Sequence, residues 1–251
     1  VHGGGFEWKH MEPSPGKFTW VNSDKMVDFA DSYGMQLVPV LGNMFYLRDR
    51  NGKKRNGSSL PDWLLKSPAT VRHPLRGVWD GISPDPVAWK RFVTAVVGRY
   101  KGRIPAYEIT NEPNIALPGA KEYIPYLISS GRIIKKYDPS AAVVGGSITT
   151  DLGGKTDKFL NEMGTSGSLK YCDAVSFHPY SSPLAGSPSS AVAAIKGLRK
   201  IADVYSPGIA LWNTELYYIG PAPSAFYAVA SRATHAQHLL RRNLIDLGEH
   251  V

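Results

Sequence analysis

The sequence predicts an α/β protein built on a parallel sheet, and three observations carry that prediction. Short apolar strand candidates recur along the chain. A helical pattern follows each one before the next arrives. Polar residues collect just past the strands' C-terminal ends. The strand candidates are Gly3–Trp8, Gln36–Leu41, Ile104–Thr110, Ala142–Gly146, Asp173–Phe177 and Ile209–Thr214. Strands separated by helices pair in parallel through right-handed crossovers, because a hairpin turn cannot connect them.

The helices announce themselves by their ends. Asn22 or Ser23 can cap the first, whose apolar stripe is Met26, Val27, Ala30 and Tyr33, with Gly34 as its stop. Asp85-Pro86 prefaces the second, a capping carboxylate followed by a proline in the first turn, where a missing N–H costs nothing. Trp89, Phe92, Val93, Val96 and Tyr100 continue it, and Gly102 ends it. Further helices are predicted over Ala120–Tyr137, Thr156–Met163, Ser189–Tyr205 and Ser224–Leu247. The stretch from Met44 to Pro86 shows no regular pattern; a loop that long inside a compact domain usually serves function, here as a wall facing substrate.

Two architectures suit this alternation, an open doubly wound sheet and an eight-fold (β/α)8 barrel. The open sheet advertises a glycine-rich phosphate turn between its first strand and helix. Gly3-Gly4-Gly5 falls before or within a strand, so the barrel is the predicted fold. Only six strand–helix units are legible, so residues 1–251 are expected to form one barrel domain that is incomplete at both ends and a piece of a longer protein. An unpaired barrel edge would otherwise be costly.

Composition narrows the functional classes. Hydrophobic residues make up 43% of the 251, and charged residues 20%, which excludes disorder as the main character. No apolar run approaches the roughly 20 residues that a bilayer requires. A single cysteine, Cys172, excludes an internal disulfide or a multi-cysteine metal site; it reads as a small buried hydrophobe. The formal charge of +8 is densest at Arg48, Arg50, Lys53, Lys54 and Arg55, amid asparagines and glycines that mark an exposed loop. A basic excess suits an acidic polymer, but no nucleic-acid motif accompanies it, so neither nucleic acid nor membrane is expected as a partner. His235 and His238 fall near one helical face without a glutamate-containing zinc motif, so no metal or other cofactor is expected.

Two strand ends carry chemistry. Tyr107-Glu108-Ile109-Thr110-Asn111-Glu112-Pro113-Asn114 is an apolar strand that the proline stops, leaving Glu112 on the rim. Ala210-Leu211-Trp212-Asn213-Thr214-Glu215-Leu216 likewise ends on a glutamate. In a barrel all strand C-termini meet at one face, so these two carboxylates can oppose each other across the mouth. Paired carboxylates suit glycosidic-bond cleavage, one protonated to assist the leaving oxygen and one ionised to attack carbon or activate water.

These residues resemble the retaining glycoside hydrolases of clan A. Asn111-Glu112-Pro113 is similar to their acid/base motif at the end of strand four, and Thr214-Glu215 to their nucleophile motif at the end of strand seven. Glu7-Trp8-Lys9-His10-Met11-Glu12-Pro13-Ser14-Pro15-Gly16 resembles the strand-two signature of family 39, and Ser176-Phe177-His178-Pro179-Tyr180 the strand-six signature. Family 5 is the runner-up. The resemblance implies a (β/α)8 TIM barrel lacking strands one and eight, with Glu112 as acid/base and Glu215 as nucleophile, cleaving β-glycosidic bonds by double displacement. The chain departs from the pattern at Gly3, where an arginine is usual, and at Thr110, where an aromatic often stands.

The resemblance further implies that Asn111 bonds the sugar 2-hydroxyl and that His178 and Tyr180 line the mouth. Trp8, Tyr46, Trp63, Trp79 and Tyr217 are candidates to stack on pyranose faces. Glu12 reads as structural and Glu108 as a buried, paired carboxylate. The expected partner is a carbohydrate, with an acidic polysaccharide worth testing, and the protein is expected to be a monomer. Its expected location is secreted or periplasmic, with a signal outside these residues; a cytoplasmic protein is the alternative. The competing function is carbohydrate binding without turnover on a degenerate barrel.

Overall fold

The computed structural model describes residues 5–47, 59–74, 79–150, 154–179, 188–216 and 232–251. In chain order the elements are α1 (Trp8–Met11), α2 (Val21–Ser32), β1 (Val40–Leu41), β2 (Phe45–Leu47), α3 (Asp62–Leu65), β3 (Val71–Pro74), β4 (Trp79–Ser83) and α4 (Pro86–Arg99). Then follow β5 (Ala106–Ile109), α5 (Pro113–Ala116), α6 (Ala120–Tyr137), β6 (Ala142–Thr149), α7 (Gly154–Thr165), β7 (Ala174–His178), α8 (Pro188–Tyr205), β8 (Ala210–Asn213) and α9 (Arg232–Gly248). A 3₁₀ turn at Ser168–Tyr171 leads into β7.

Five strands form one parallel sheet in the order β1-β5-β6-β7-β8, so each crossover moves one strand over. That arc is a partial (β/α)8 barrel, as the alternation predicts. Its register is explicit: Glu108 pairs with Val40 on one side and Val144 on the other, and Ala174 pairs with Val144 and Ala210.

Side-chain alternation assigns the two faces of the arc. Tyr107, Ile109, Val143, Val175, Phe177 and Leu211 turn outward into the main core, where helices cover them. Their neighbours Ala106, Val144 and Ala174 turn inward and form a separate small cluster with Val38, Ala142 and Trp212. The outer layer is tied by specific bonds as well as by apolar burial. The Trp89 indole N–H donates to Ser130 Oγ at 3.0 Å, joining α4 to α6, and Tyr126 Oη donates to the Pro84 carbonyl at 2.6 Å.

The predicted caps hold where they are strong. Asp85 accepts from the Val87 and Ala88 amides, with Pro86 in the first turn of α4. Gly34 and Gly102 take left-handed φ values of 63° and 74° just past α2 and α4. The α2 start is corrected: neither Asn22 nor Ser23 caps it. Both lie inside the helix, and the Ser23 hydroxyl donates back to the Trp20 carbonyl at 3.1 Å.

Two larger corrections concern the N-terminal third. Gly3–Trp8 is not a strand among the described residues, because Trp8–Met11 closes a helical turn instead. The Trp8 indole N–H reaches Glu12 Oε2, four residues on, at 2.7 Å, and the Glu12 amide donates to the Trp8 carbonyl at 2.8 Å. The stretch from Met44 to Pro86 is not patternless either. It contains α3 and an antiparallel sheet of order β2-β4-β3. These strands are three to five residues long, too short to show periodicity in sequence. Gly81 of β4 lets that sheet press on α5: a Cβ there would lie 1.6 Å from the Ala116 carbonyl oxygen. The basic stretch 48–55 lies outside the described residues.

Candidate active site

The predicted pair converges. Glu112 sits just past β5 and Glu215 just past β8, with His178 closing β7 between them. One oxygen of each carboxyl and an imidazole nitrogen all lie within 4.8 Å of one another. His178 Nδ1 is 3.1 Å from Glu112 Oε1 and 4.0 Å from Glu215 Oε2. The imidazole is fully buried, whereas both carboxyl side chains keep partial exposure. A buried ring thus lies against the carboxyl pair, and both carboxyls keep some exposure.

Local backbone conformation is what aims Glu112. Thr110 and Glu112 both take positive φ, 60° and 43°, a region that L side chains rarely visit and a β-branched threonine least of all. Such strain persists only where surroundings over-determine it. Here the Thr110 amide donates to Leu41 O at 3.0 Å and the Glu112 amide to Ser147 O at 2.9 Å. The Asn114 amide group clamps the next residues from the other side, donating to Thr149 O at 2.9 Å and accepting from Thr149 N at 3.2 Å. The Asn-Glu-Pro-Asn run is therefore a turn pinned between β1 and β6.

Asn111 lies within this turn, and its Oδ1 is buried without a hydrogen-bond partner among the described residues. An unsatisfied buried acceptor costs about 1–3 kcal/mol, which a ligand hydroxyl would recover. Glu108 is buried and accepts from Thr214 Oγ1 at 2.7 Å, as expected of a paired structural carboxylate. That bond also anchors the residue before Glu215 to the strand that carries Glu112.

The aromatic candidates fare differently. Trp8 is corrected: it is 0% exposed, stacked on Phe92 at 4.5 Å between ring centroids, with Trp89 and Trp63 edge-on, so no sugar can reach its faces. Trp63 is half-buried; its N–H donates to the Glu12 carbonyl and the Arg91 guanidinium covers its ring at 5.3 Å. Its contacts serve the N-terminal core rather than the carboxyl pair. Tyr180 and Tyr217 lie outside the described residues. The side chains of Tyr46, Trp79, His235 and His238 do too, although the first two residues lie on strands β2 and β4.

Glu12 proves to be a buried hub. Its carboxylate accepts from Trp8 Nε1, the Gly16 amide and Arg91 Nε, each at 2.7 Å. Burial pushes the Cys172 thiol up to about 12, which leaves it protonated and inert.

Sequence reasoning missed Ser147. It sits in a β-bulge where the β6–β7 register shifts between Gly145 and Ile148, with φ 49° and no exposure. Its carbonyl holds Glu112, and its Oγ lies 3.3 Å from His178 Nε2. The signal that could have found it is the Gly145-Gly146 pair, since glycines inside a strand often mark a bulge.

No family model matches the chain. A curated relative, endo-1,4-beta-xylanase C of Paenibacillus barcinonensis, is 28% identical over 102 residues, covering 41% of this chain and 8% of its own. Among solved structures, a family 39 glycoside hydrolase from Bacteroides cellulosilyticus WH2 superposes with TM-score 0.63 at 19% identity, over 95% of this chain and 46% of its own. A Thermobacillus composti GH10 xylanase gives 0.60 at 18%, over 96% and 70%. The family 10 protein of Paenibacillus barcinonensis gives 0.61 at 20%, over 98% and 70%. The likeness shows the fold: the arc is part of the (β/α)8 barrel that these glycoside hydrolases share, family 39 being one of several neighbours. The chain spans less than half of the family 39 structure and under a tenth of the curated relative.

Proposed function

We propose that the chain carries the catalytic centre of a retaining glycoside hydrolase that cleaves β-linked sugars by double displacement. One observation supports this above the others: the Glu112 and Glu215 carboxyls approach within 4.8 Å at the mouths of strands three places apart in the arc. Retaining enzymes hold their carboxyls about 5–5.5 Å apart, and inverting ones about 6.5–9.5 Å to admit a water. The approach of the two carboxyl oxygens supports the shorter, retaining spacing.

In the first step the Glu215 carboxylate attacks the anomeric carbon. The glycosidic C–O bond breaks, and Glu112 passes its proton to the departing oxygen. In the second step the Glu112 carboxylate takes a proton from water, whose oxygen attacks the same carbon and frees Glu215. Asn111 supplies an acceptor for the sugar 2-hydroxyl, a contact that strengthens as the ring gains positive charge.

Since several proteins of like fold are named xylanases, β-1,4-xylan is the first polymer to test, with a uronic-acid-bearing polymer beside it on account of the +8 charge. A polymeric substrate suits a secreted or periplasmic enzyme, and a monomer is proposed. Proton NMR of the first-formed sugar tests the mechanism. The β anomer appearing first from a β-linked substrate is the expected result; the α anomer appearing first would show inversion and end this reading.

A further inference from the structure

The bulge at Ser147 links the two halves of the site. Its carbonyl accepts from the Glu112 amide at 2.9 Å, and its own amide donates to Ser176 Oγ at 2.8 Å, so its position is fixed from both neighbouring strands. Gly146 makes the bulge possible. At φ 96°, it would place any Cβ 2.9 Å from the Ser176 carbonyl. From this anchored position the Ser147 hydroxyl meets His178 Nε2 at 3.3 Å, while the opposite ring nitrogen faces Glu112 Oε1 at 3.1 Å and Glu215 Oε2 at 4.0 Å.

A neutral imidazole carries its proton on one nitrogen, and the partner of the other nitrogen decides which. With the proton on Nε2, a lone pair at Nδ1 would point at two carboxyl oxygens, one of them ionised. With the proton on Nδ1, the ring donates to Glu112 Oε1, and the Ser147 hydroxyl satisfies Nε2 by donating to it.

We infer that Ser147 is a positioning residue: where the carboxyls favour the Nδ1–H tautomer of His178, its hydroxyl donates to Nε2, holds the ring in place and thereby confines the transferable proton of Glu112 to Oε2. This rests on the acid/base role proposed for Glu112. Because Nδ1–H occupies Oε1 in both protonation states of the carboxyl, the acid of the first step and the base of the second use the same oxygen without the ring reorienting. Ser147 acts through His178 and does not touch substrate.

The test combines nitrogen NMR with kinetics on the full-length protein. Of seven histidines, His178 is assigned by the signal lost in His178→Gln. The neutral Nδ1–H pattern is expected in the wild type, with Nε2 as acceptor. Ser147→Gly keeps the carbonyl that holds Glu112 and suits a positive φ; Ser147→Ala removes the same hydroxyl with a different backbone cost. In both, the Nε2 signal should move downfield as the hydrogen bond donated to it is lost. kcat/KM for aryl glycosides with poor leaving groups should fall about tenfold, the loss of one hydrogen bond of ordinary strength, and less for activated ones. An Nε2–H or doubly protonated ring in the wild type, or an unchanged Nε2 signal in both variants, would overturn the inference. If the Nε2 signal moves as expected while Glu112→Gln and Glu215→Gln keep full activity, the proposed catalytic roles and the proton confinement fail together, and only the Ser147–His178 bond stands.

Discussion

The two faces of the parallel arc are built for different tasks. Outward, Tyr107, Ile109, Val143, Val175 and Phe177 are fully buried against helices in a single large cluster. Inward, the buried apolar cluster shrinks to Ala106, Val144 and Ala174. Below the mouth that face borders a cavity of about 840 Å³, lined in part by Val38, Glu108, Trp212 and Asp246. Stability therefore resides in the helix–sheet layer, and the inner face is free to carry carboxyls, an imidazole and left-handed backbone. Glycosidase chemistry needs that division, because charged groups at a rim cannot also be the fold's apolar support.

The largest expected effect falls on activity alone. Glu112→Gln and Glu215→Gln should each lower turnover on the order of a thousandfold while the thermal midpoint stays near the wild type. A variant that lost stability in step with activity would erase the distinction between the faces. Next comes a paired test within one strand: Val143 and Val144 are neighbours, both fully buried, one facing out and one in. Val143→Ala should destabilise by about 2 kcal/mol in denaturant unfolding, since the packed layer cannot collapse onto the void, and Val144→Ala by under about 1 kcal/mol. Equal costs would mean that the inner face is as tightly packed as the outer.

A smaller effect concerns acid. Hydrogen bonding from Arg99 holds the Asp24 carboxyl below its ordinary value of 3.8. Asp85 and Asp138 are held below it too, the bonds they accept outweighing a burial that pushes upward. A carboxyl depressed in the folded state stabilises the fold above its unfolded value, and that contribution disappears as pH falls through the folded one. The thermal midpoint should therefore decline as pH drops below about 4, and Asp138→Asn should flatten the decline. The smallest expected effect is none. EDTA should leave hydrolysis unchanged, since the two glutamates supply proton and nucleophile. A loss restored by a divalent cation would reassign Glu112, His178 and Glu215 to holding a metal.

The outer face was the legible one. Alternation in Ala106-Tyr107-Glu108-Ile109 and the Asp85-Pro86 start are local signals, and the strands and helices they mark are present. The convergence of Glu112 and Glu215 was legible because strand ends meet at one face of a barrel, and His178 through the resemblance of Ser176-Phe177-His178 to a strand-six signature. Three features were not. Trp8 misled because the turn closed by Glu12 outweighs the apolar pattern of a strand, and that carboxylate's bond to Arg91 spans 79 positions. The left-handed turn at Thr110 and Glu112 depends on bonds from β1 and β6, which spacing does not encode. Ser147 matters through a register shift between two strands, which exists only once they pair.

The claim that Glu215 attacks carbon can be tested by trapping. A 2-deoxy-2-fluoro β-glycoside with an activated leaving group forms the glycosyl-enzyme quickly and releases it slowly, so the intermediate accumulates. Mass spectrometry of the digested full-length protein should then find one fluorosugar ester, on the peptide carrying Glu215, and none in Glu215→Gln. Hydrolysis of the same reagent with no ester formed, or an ester on Glu112, would contradict the account.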